Sequence, residues 1–289
     1  MKKNFLNLLA LASILILNAC SEDVTNPNDI ESQIDDATAE AYTDFAEDDV
    51  NEMVIDLLDD LRFDEIRGAA NFESKRFRPF AGRRSCAEID LDIINGSLIL
   101  DFGEGCESAD GVTRSGKIII SFTDARHVAG AVIITTFENY MVNGNQIEGT
   151  RTLTNISNET EGQRAFEIKT ENGKITFEDG TFRSFSGSKT KVWELEESTE
   201  EVTLTVTGGS SGTNREGDEF SKTITEPIIF KRSCRTVGVK VAISGERTLV
   251  KSGDTYIINY GDGTCDNVVT VTLPNGEVEE ITIERKRRG

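Results

Sequence analysis

The chain has little of what enzymes most often use for chemistry. A single histidine, His127, occurs in 289 residues, in the turn-like run Asp124-Ala-Arg-His-Val128. A lone loop histidine makes no triad, because a triad also needs a placed nucleophile and an acid. Five cysteines are present but none lies in a Cys-x-x-Cys pair, which sets aside dithiol redox catalysis and argues against a thiolate zinc site. The one tryptophan, Trp193, has Phe182 and Phe185 near it in sequence, so a sugar-stacking platform is one expectation and a core aromatic the commoner fate. Cations are outnumbered, 31 Lys and Arg against 51 Asp and Glu, and the net charge of −20 repels phosphate backbones, which excludes nucleic acid as a partner. Long apolar runs are missing too. The run from Phe5 to Leu17 falls short of the roughly 20 residues that a permanent spanning helix needs.

Several motifs dissolve on inspection. Asp101-Phe102-Gly103 spells the metal-binding tripeptide of kinases, but no Gly-rich loop or catalytic loop accompanies it. Asp101, Glu104 and Asp110, and likewise Asp262 and Asp266, cluster where calcium could be held by oxygen; Asp beside Gly is equally what tight turns use. Glu138, Glu148, Glu167 and Glu194 lie on strand-like segments, and a pair of them in a cleft would suit glycoside hydrolysis. In so acidic a chain such pairs arise by chance. Neither a cofactor nor a metal-ligand set follows from the sequence.

What is there begins at the amino end. Met1-Lys2-Lys3 is a cationic opening to the apolar run, which closes in Leu17-Asn18-Ala19-Cys20. That closing resembles the lipobox of bacterial lipoproteins. The resemblance implies cleavage before Cys20, acylation of its thiol and of the new amino terminus, and a membrane partner engaged through those acyl chains; several chains anchor stably where one is marginal. Ser21 lacks the Asp that retains lipoproteins at the inner membrane in enterobacteria. Ser21-Glu22-Asp23 is similar to the acidic export signal of Bacteroidota lipoproteins, which implies an outer-membrane, lipid-anchored, surface-exposed location.

Residues 1–19 are therefore read as the signal peptide, 20–29 as a tether, 30–66 as an acidic amphipathic helix, 67–85 as a basic linker and 86–289 as a β domain. Between Cys20 and Ile66, 17 acidic residues stand against the single Arg62. Tyr42, Phe45, Ala46, Val50, Met53, Val54, Leu57, Leu58 and Leu61 recur at three- and four-residue steps and draw one apolar stripe. The stripe is expected to pack on the β domain, and Asp44, Glu47, Asp48, Glu52, Asp59 and Asp60 to face solvent. Lys75, Arg76, Arg78, Arg83 and Arg84, with Arg285 to Arg288 at the end, are expected to neutralise this acidic block.

From Ala87 onward the pattern is β. Ile118, Ile120 and Phe122 alternate with Lys117, Ile119 and Ser121; Val202 to Thr207 and Val269 to Leu273 alternate cleanly. Asn95-Gly96, Asp110-Gly111, Asn143-Gly144, Asn172-Gly173, Asp179-Gly180 and Asn275-Gly276 each signal a hairpin. Gly208 to Glu219 reads as a long hairpin loop or bulged edge, and Pro227 as an edge or a strand start. Such a succession makes an antiparallel meander, which must curl into a sandwich, barrel or half-barrel to cover its apolar face. The fold class is all-β, preceded by one acidic helix.

Two stretches share a pattern. Arg83-Arg84-Ser85-Cys86 leads to Asp101-Phe-Gly-Glu-Gly-Cys106, and Lys231-Arg232-Ser233-Cys234 leads to Asn259-Tyr-Gly-Asp-Gly-Thr-Cys265. Four cysteines besides Cys20 in an exported chain allow three disulfide connectivities. The duplicated context favours Cys86–Cys106 and Cys234–Cys265; the alternative ties Cys86 to Cys234 and Cys106 to Cys265. These runs, with Asp110-Gly-Val-Thr-Arg-Ser-Gly-Lys-Ile-Ile-Ile120, Thr136-Phe-Glu-Asn-Tyr140, Ile147-Glu-Gly-Thr-Arg151 and Tyr260-Gly-Asp-Gly-Thr-Cys-Asp-Asn267, resemble a group of exported, β-rich Bacteroidota lipoproteins. The resemblance implies compartment and architecture and carries no activity. The expectation is a lipid-anchored surface protein, a non-enzymatic structural or adhesive module; the alternatives are a binding protein for a lipid or glycan, with Trp193 as a ligand contact, and last a hydrolase.

Overall fold

The protein is described by a computed structural model. It describes residues 46–58 apart from 48, 52 and 56, and 86–282 apart from 93–94, 110, 159–162 and 240. Cys20, the signal, the tether, the basic linker and the cationic end lie outside these residues. The helical segment within 46–58 is called α1. The β domain runs β1 (Glu88–Asp92), β2 (Ser97–Asp101), β3 (Cys106–Glu107), β4 (Thr113–Phe122), β5 (Val132–Val142), β6 (Asn145–Asn155) and β7 (Arg164–Thr176). It continues β8 (Phe182–Glu196), β9 (Glu201–Thr213), β10 (Glu219–Lys231), a short helix α2 (Arg232–Thr236), β11 (Ser244–Lys251), β12 (Asp254–Asp262), β13 (Val268–Thr272) and β14 (Val278–Thr282).

Thirteen of these strands pair in chain order, β1-β2-β4 through β14, all antiparallel; β3 pairs β4 beside the path. The meander expected from the turn dipeptides is therefore the observed fold. Among the described residues β1 pairs only with β2 and β14 only with β13, so the sheet is open rather than a closed barrel. Curling shows in the core. Ile89, Leu98, Ile118, Ile120, Ile133, Ile147 and Ile168 come from six of the first strands and join Ala46, Val50, Met53, Val54, Leu57 and Leu58 of α1 in one cluster. Every described member of the predicted helical stripe is buried, so α1 lies in the hollow of the sheet. Alternation does the same work within a strand: Ile118 and Ile120 are buried to 0 % exposure while Lys117 and Ile119 are half-exposed.

Three local expectations fail for backbone reasons. Asn172-Gly173 is not a turn but a bulge inside β7, where the register shifts between Thr170 and Gly173 and Asn172 adopts φ 52°. A Cβ at Gly173 would stand 2.8 Å from the Phe185 ring, so glycine there lets the aromatic close over the bulge. Gly208 to Thr213 belongs to β9 instead of a loop, and the hairpin proper is only 214–218. At Gly208, with φ +117°, a Cβ would fall 2.1 Å from the Ser188 carbonyl oxygen, a crossing that no other residue allows. Pro227 sits inside β10 in the middle of the sheet, at the register shift that lets a residue without an N–H stay there.

Both expected disulfides are present, Cys86–Cys106 with Cα atoms 6.1 Å apart and Cys234–Cys265 with Cα atoms 5.2 Å apart. Their shared motif does not give a shared structure. The first ties the entry to β1 onto β3, whereas the second ties helix α2 to the loop between β12 and β13.

Candidate functional site

The concave face changes character along the sheet. Under α1 it is filled; from β8 to β12 it opens into a groove of about 320 Å³, bordered by Glu47 and Asn51 of α1. That volume falls at the lower end of the roughly 300–1,000 Å³ of small-molecule sites. Strand alternation decides what faces it. On β8, Arg183, Phe185, Lys189 and Lys191 point inward; on β9, Leu204, Val206 and Ser210; on β10, Phe220, Lys222, Ile224, Ile228 and Phe230. Arg151 of β6, Arg247 of β11 and Tyr260 of β12 complete the wall. Register confirms a common face: Lys191 lies opposite Val206, Val206 opposite Ile228, Ser210 opposite Lys222, and Ile224 opposite Arg247.

Six cationic side chains and one carboxylate, Glu47, line this groove in a chain of net charge −20. The sign is opposite to that of the molecule. Low-dielectric walls concentrate such a field and attract anions of matching size. Several cations are organised by neighbours. Arg183, 2 % exposed, lays its guanidinium 4.1 Å from the centre of the Phe220 ring. Arg151 donates from Nη1 to the Glu47 carbonyl oxygen at 3.0 Å. Glu47 accepts from Thr170 Oγ1 at 3.2 Å, and its other oxygen lies 3.9 Å from Lys189 Nζ. The Nε of Arg247 is buried and has no hydrogen-bond partner among the described residues.

The apolar part of the groove is as orderly. Leu204, Val206, Ile224, Ile228, Phe230, Ala242 and Tyr260 pack together. Leu204 and Phe230 pair near α2, Val206 and Ile228 pair in the next inward row with Lys191 opposite Val206, and Lys189, Ser210 and Lys222 lie farther from α2. The end of the groove nearest α2 is thus apolar, and cations interleave with apolar side chains over the rest of it.

Helix α1 is fixed in place by a buried ion pair. Arg114 Nη2 and Nε donate to the two oxygens of Asp49 at 2.7 and 3.1 Å, with the side chains 0 % and 1 % exposed. This two-pronged geometry is what makes a buried arginine–carboxylate pair tolerable.

No family model, curated protein or solved structure matches the chain. The reading of the site therefore rests on its geometry.

The structure places the candidate residues as follows. Trp193 packs edge-on against Phe166, ring centres 5.8 Å apart, and is partly buried beside the main core rather than in the groove wall. Phe182, at the far end of β8 from Trp193, is exposed on the opposite face with Lys174 over its ring. Trp193, Phe182 and Phe185 do not assemble into one platform. Glu138, Glu148, Glu167 and Glu194 are all exposed, and Glu148 pairs with Lys174 at 3.4 Å. None of the four lines the groove. Two of the carboxylates near the second cysteines serve their own turns. Asp101 accepts from the Gly103 N–H at 2.8 Å, and Asp262 accepts from the N–H and the hydroxyl of Thr264, which hold it below the usual carboxylate range. His127 is exposed in the β4–β5 connection.

Sequence reasoning missed Glu47 and Asp49. Glu47 was expected to face solvent but reaches into the groove, because the sheet continues past the helix and supplies Thr170 and Lys189 beside it. Asp49 had a signal. It lies three residues after Ala46 and four before Met53, within the phase of the buried stripe, where an acid needs an inward cation. Arg114 likewise shares the inward phase of Ile118 and Ile120.

Proposed function

We propose that this is a lipid-anchored binding protein of the bacterial outer membrane, held by acyl chains on Cys20, whose concave groove takes a small molecule carrying negative charge. One observation carries the binding part: a built groove lined by six cations and a wall of apolar side chains inside a strongly acidic molecule. A module that only spaced or adhered would have no use for inward charges that cost desolvation to place there. The binding reading is therefore preferred to the structural or adhesive one. The lipobox resemblance at Leu17 to Cys20 supports the anchor.

The experiment has two arms. Titration of the full mature chain with 8-anilinonaphthalene-1-sulfonate should give a saturable, one-to-one fluorescence rise that weakens with salt and disappears in the double variant Lys222→Glu/Arg247→Glu. Binding that ignores the charge reversal would sink the groove as the site. For the address, Cys20→Ala should abolish processing and membrane partitioning; an unchanged membrane fraction would sink the anchor.

A further inference from the structure

We infer that the groove's ligand is a single-chain amphiphile with a carboxylate head, and that Glu47 stands in for that head until the ligand displaces it. The inference rests on the binding reading above and narrows it to one ligand class.

The division of the groove sets the shape of the ligand. Nearest α2 it is walled by Leu204 and Phe230, Lys191 enters beside Val206 and Ile228, and Lys189, Lys222 and Arg247 lie farther along with Ile224 among them. A purely hydrophilic anion would leave the apolar rows in contact with water, and a neutral chain would leave the buried Arg247 Nε–H without an acceptor among the described residues. An ion joined to a hydrocarbon chain satisfies both ends. The identity of the head follows from Glu47. The chain itself already puts a carboxylate in the groove, taking a hydrogen bond from Thr170 Oγ1 and facing Lys189 Nζ. A cradle that accepts one carboxylate by a hydroxyl and an ammonium accepts another.

Glu47 can yield without the helix leaving. Helix α1 is held by the Arg114–Asp49 pair and by the buried stripe from Ala46 to Leu58, none of which needs the Glu47 side chain. Glu47 is thus an internal competitor: it shields the cations from casual anions and sets the affinity a ligand must exceed.

The test is calorimetry on the mature chain, residues 20–289 with Cys20→Ser, exported behind an ordinary leader so that its disulfides form. The probes are laurate, 1-dodecanol and butyrate, each below its aggregation limit. The expected result is one-to-one laurate binding at least tenfold tighter than either other probe. Lys189→Gln/Lys222→Gln should weaken laurate about tenfold and leave dodecanol unchanged, whereas Glu47→Gln should tighten laurate about threefold or more. Thr170→Val, which removes the hydroxyl from the sheet side, should weaken laurate and serves if the helix variant does not fold. Butyrate binding as tightly as laurate would overturn the amphiphile while leaving an anion-binding function standing. Dodecanol binding as tightly as laurate would overturn both. Laurate weakened by Glu47→Gln would show the carboxylate to be scaffold and would overturn the displacement.

Discussion

The two halves of the sheet follow the same strand grammar to different ends. From β1 to β7 the concave face is covered by α1 and fills a cluster of 25 buried residues; from β8 to β14 the buried apolar residues gather in clusters of three. Alternation is equally regular in both. What differs is cover: a helix lies over one half, and the other half faces an open groove. Leu204 is consequently only half-buried despite clean alternation, because the face it shares with Val206 is the groove wall. A period of two shows which residues share a face. It does not show what, if anything, lies over that face.

Mutations in the two halves should have unequal effects. The largest effect should come from Asp49→Ala, which leaves the fully buried Arg114 charge without its partner and should cost about 3–5 kcal/mol in urea unfolding. Adding Arg114→Met to that variant should restore most of the loss, since an apolar pair suits the site; no recovery would mean that α1 is held in some other way. Next come the disulfides, each worth roughly 3 kcal/mol in the chain-entropy model for loops of these lengths. Removing Cys234–Cys265 should speed hydrogen exchange across β11 to β13 while β2 and β4 stay protected, because only the second half lacks a thick core. Equal acceleration in both halves would mean that the two are equally well packed.

Smaller still is the contrast between core positions. Leu57→Ala, at a site of 0 % exposure under the sheet, should lose about 3 kcal/mol, and Ile228→Ala in the groove about 1 kcal/mol less. Last is pH. Hydrogen bonds from the side chain and backbone of Ser233 hold Glu201 below its usual range, those of Thr264 do so for Asp262, and Thr181, with Arg215, does so for Asp179. A depressed carboxylate contributes stability that is complete above its unfolded value and is lost as pH falls through the folded one. Thermal unfolding should therefore be flat from neutral down to about pH 5 and decline only below about pH 4, with a shallow slope because Asp179 and Asp262 are exposed and Glu201 is only half-buried.

Much of the architecture was legible from local rules. Five of the six Asn-Gly and Asp-Gly pairs mark connections, both disulfides follow the duplicated context, and the helical stripe is buried wherever it is described. The exceptions share a cause. Asn172-Gly173, Gly208 and Pro227 looked like breaks in the chain because those residues favour φ > 0 or lack an N–H. The sheet uses the same properties to bulge and cross tightly without stopping. The groove was not legible, because its six cations are spread over four strands from Arg151 to Arg247 and never cluster in sequence. The basic runs that do cluster fall outside the described residues.

Among the described residues the sheet ends in β1 and β14, each paired on one side, and these strands bear on how copies behave when crowded. The outer strands carry Glu88, Asp90 and Asp92 on one side and Glu279 and Glu280 on the other. Were two molecules to approach flank to flank, carboxylates would confront carboxylates across the gap before any ladder could form, a standard safeguard against runaway polymerisation. A dense population of copies would in this way stay a population of individuals.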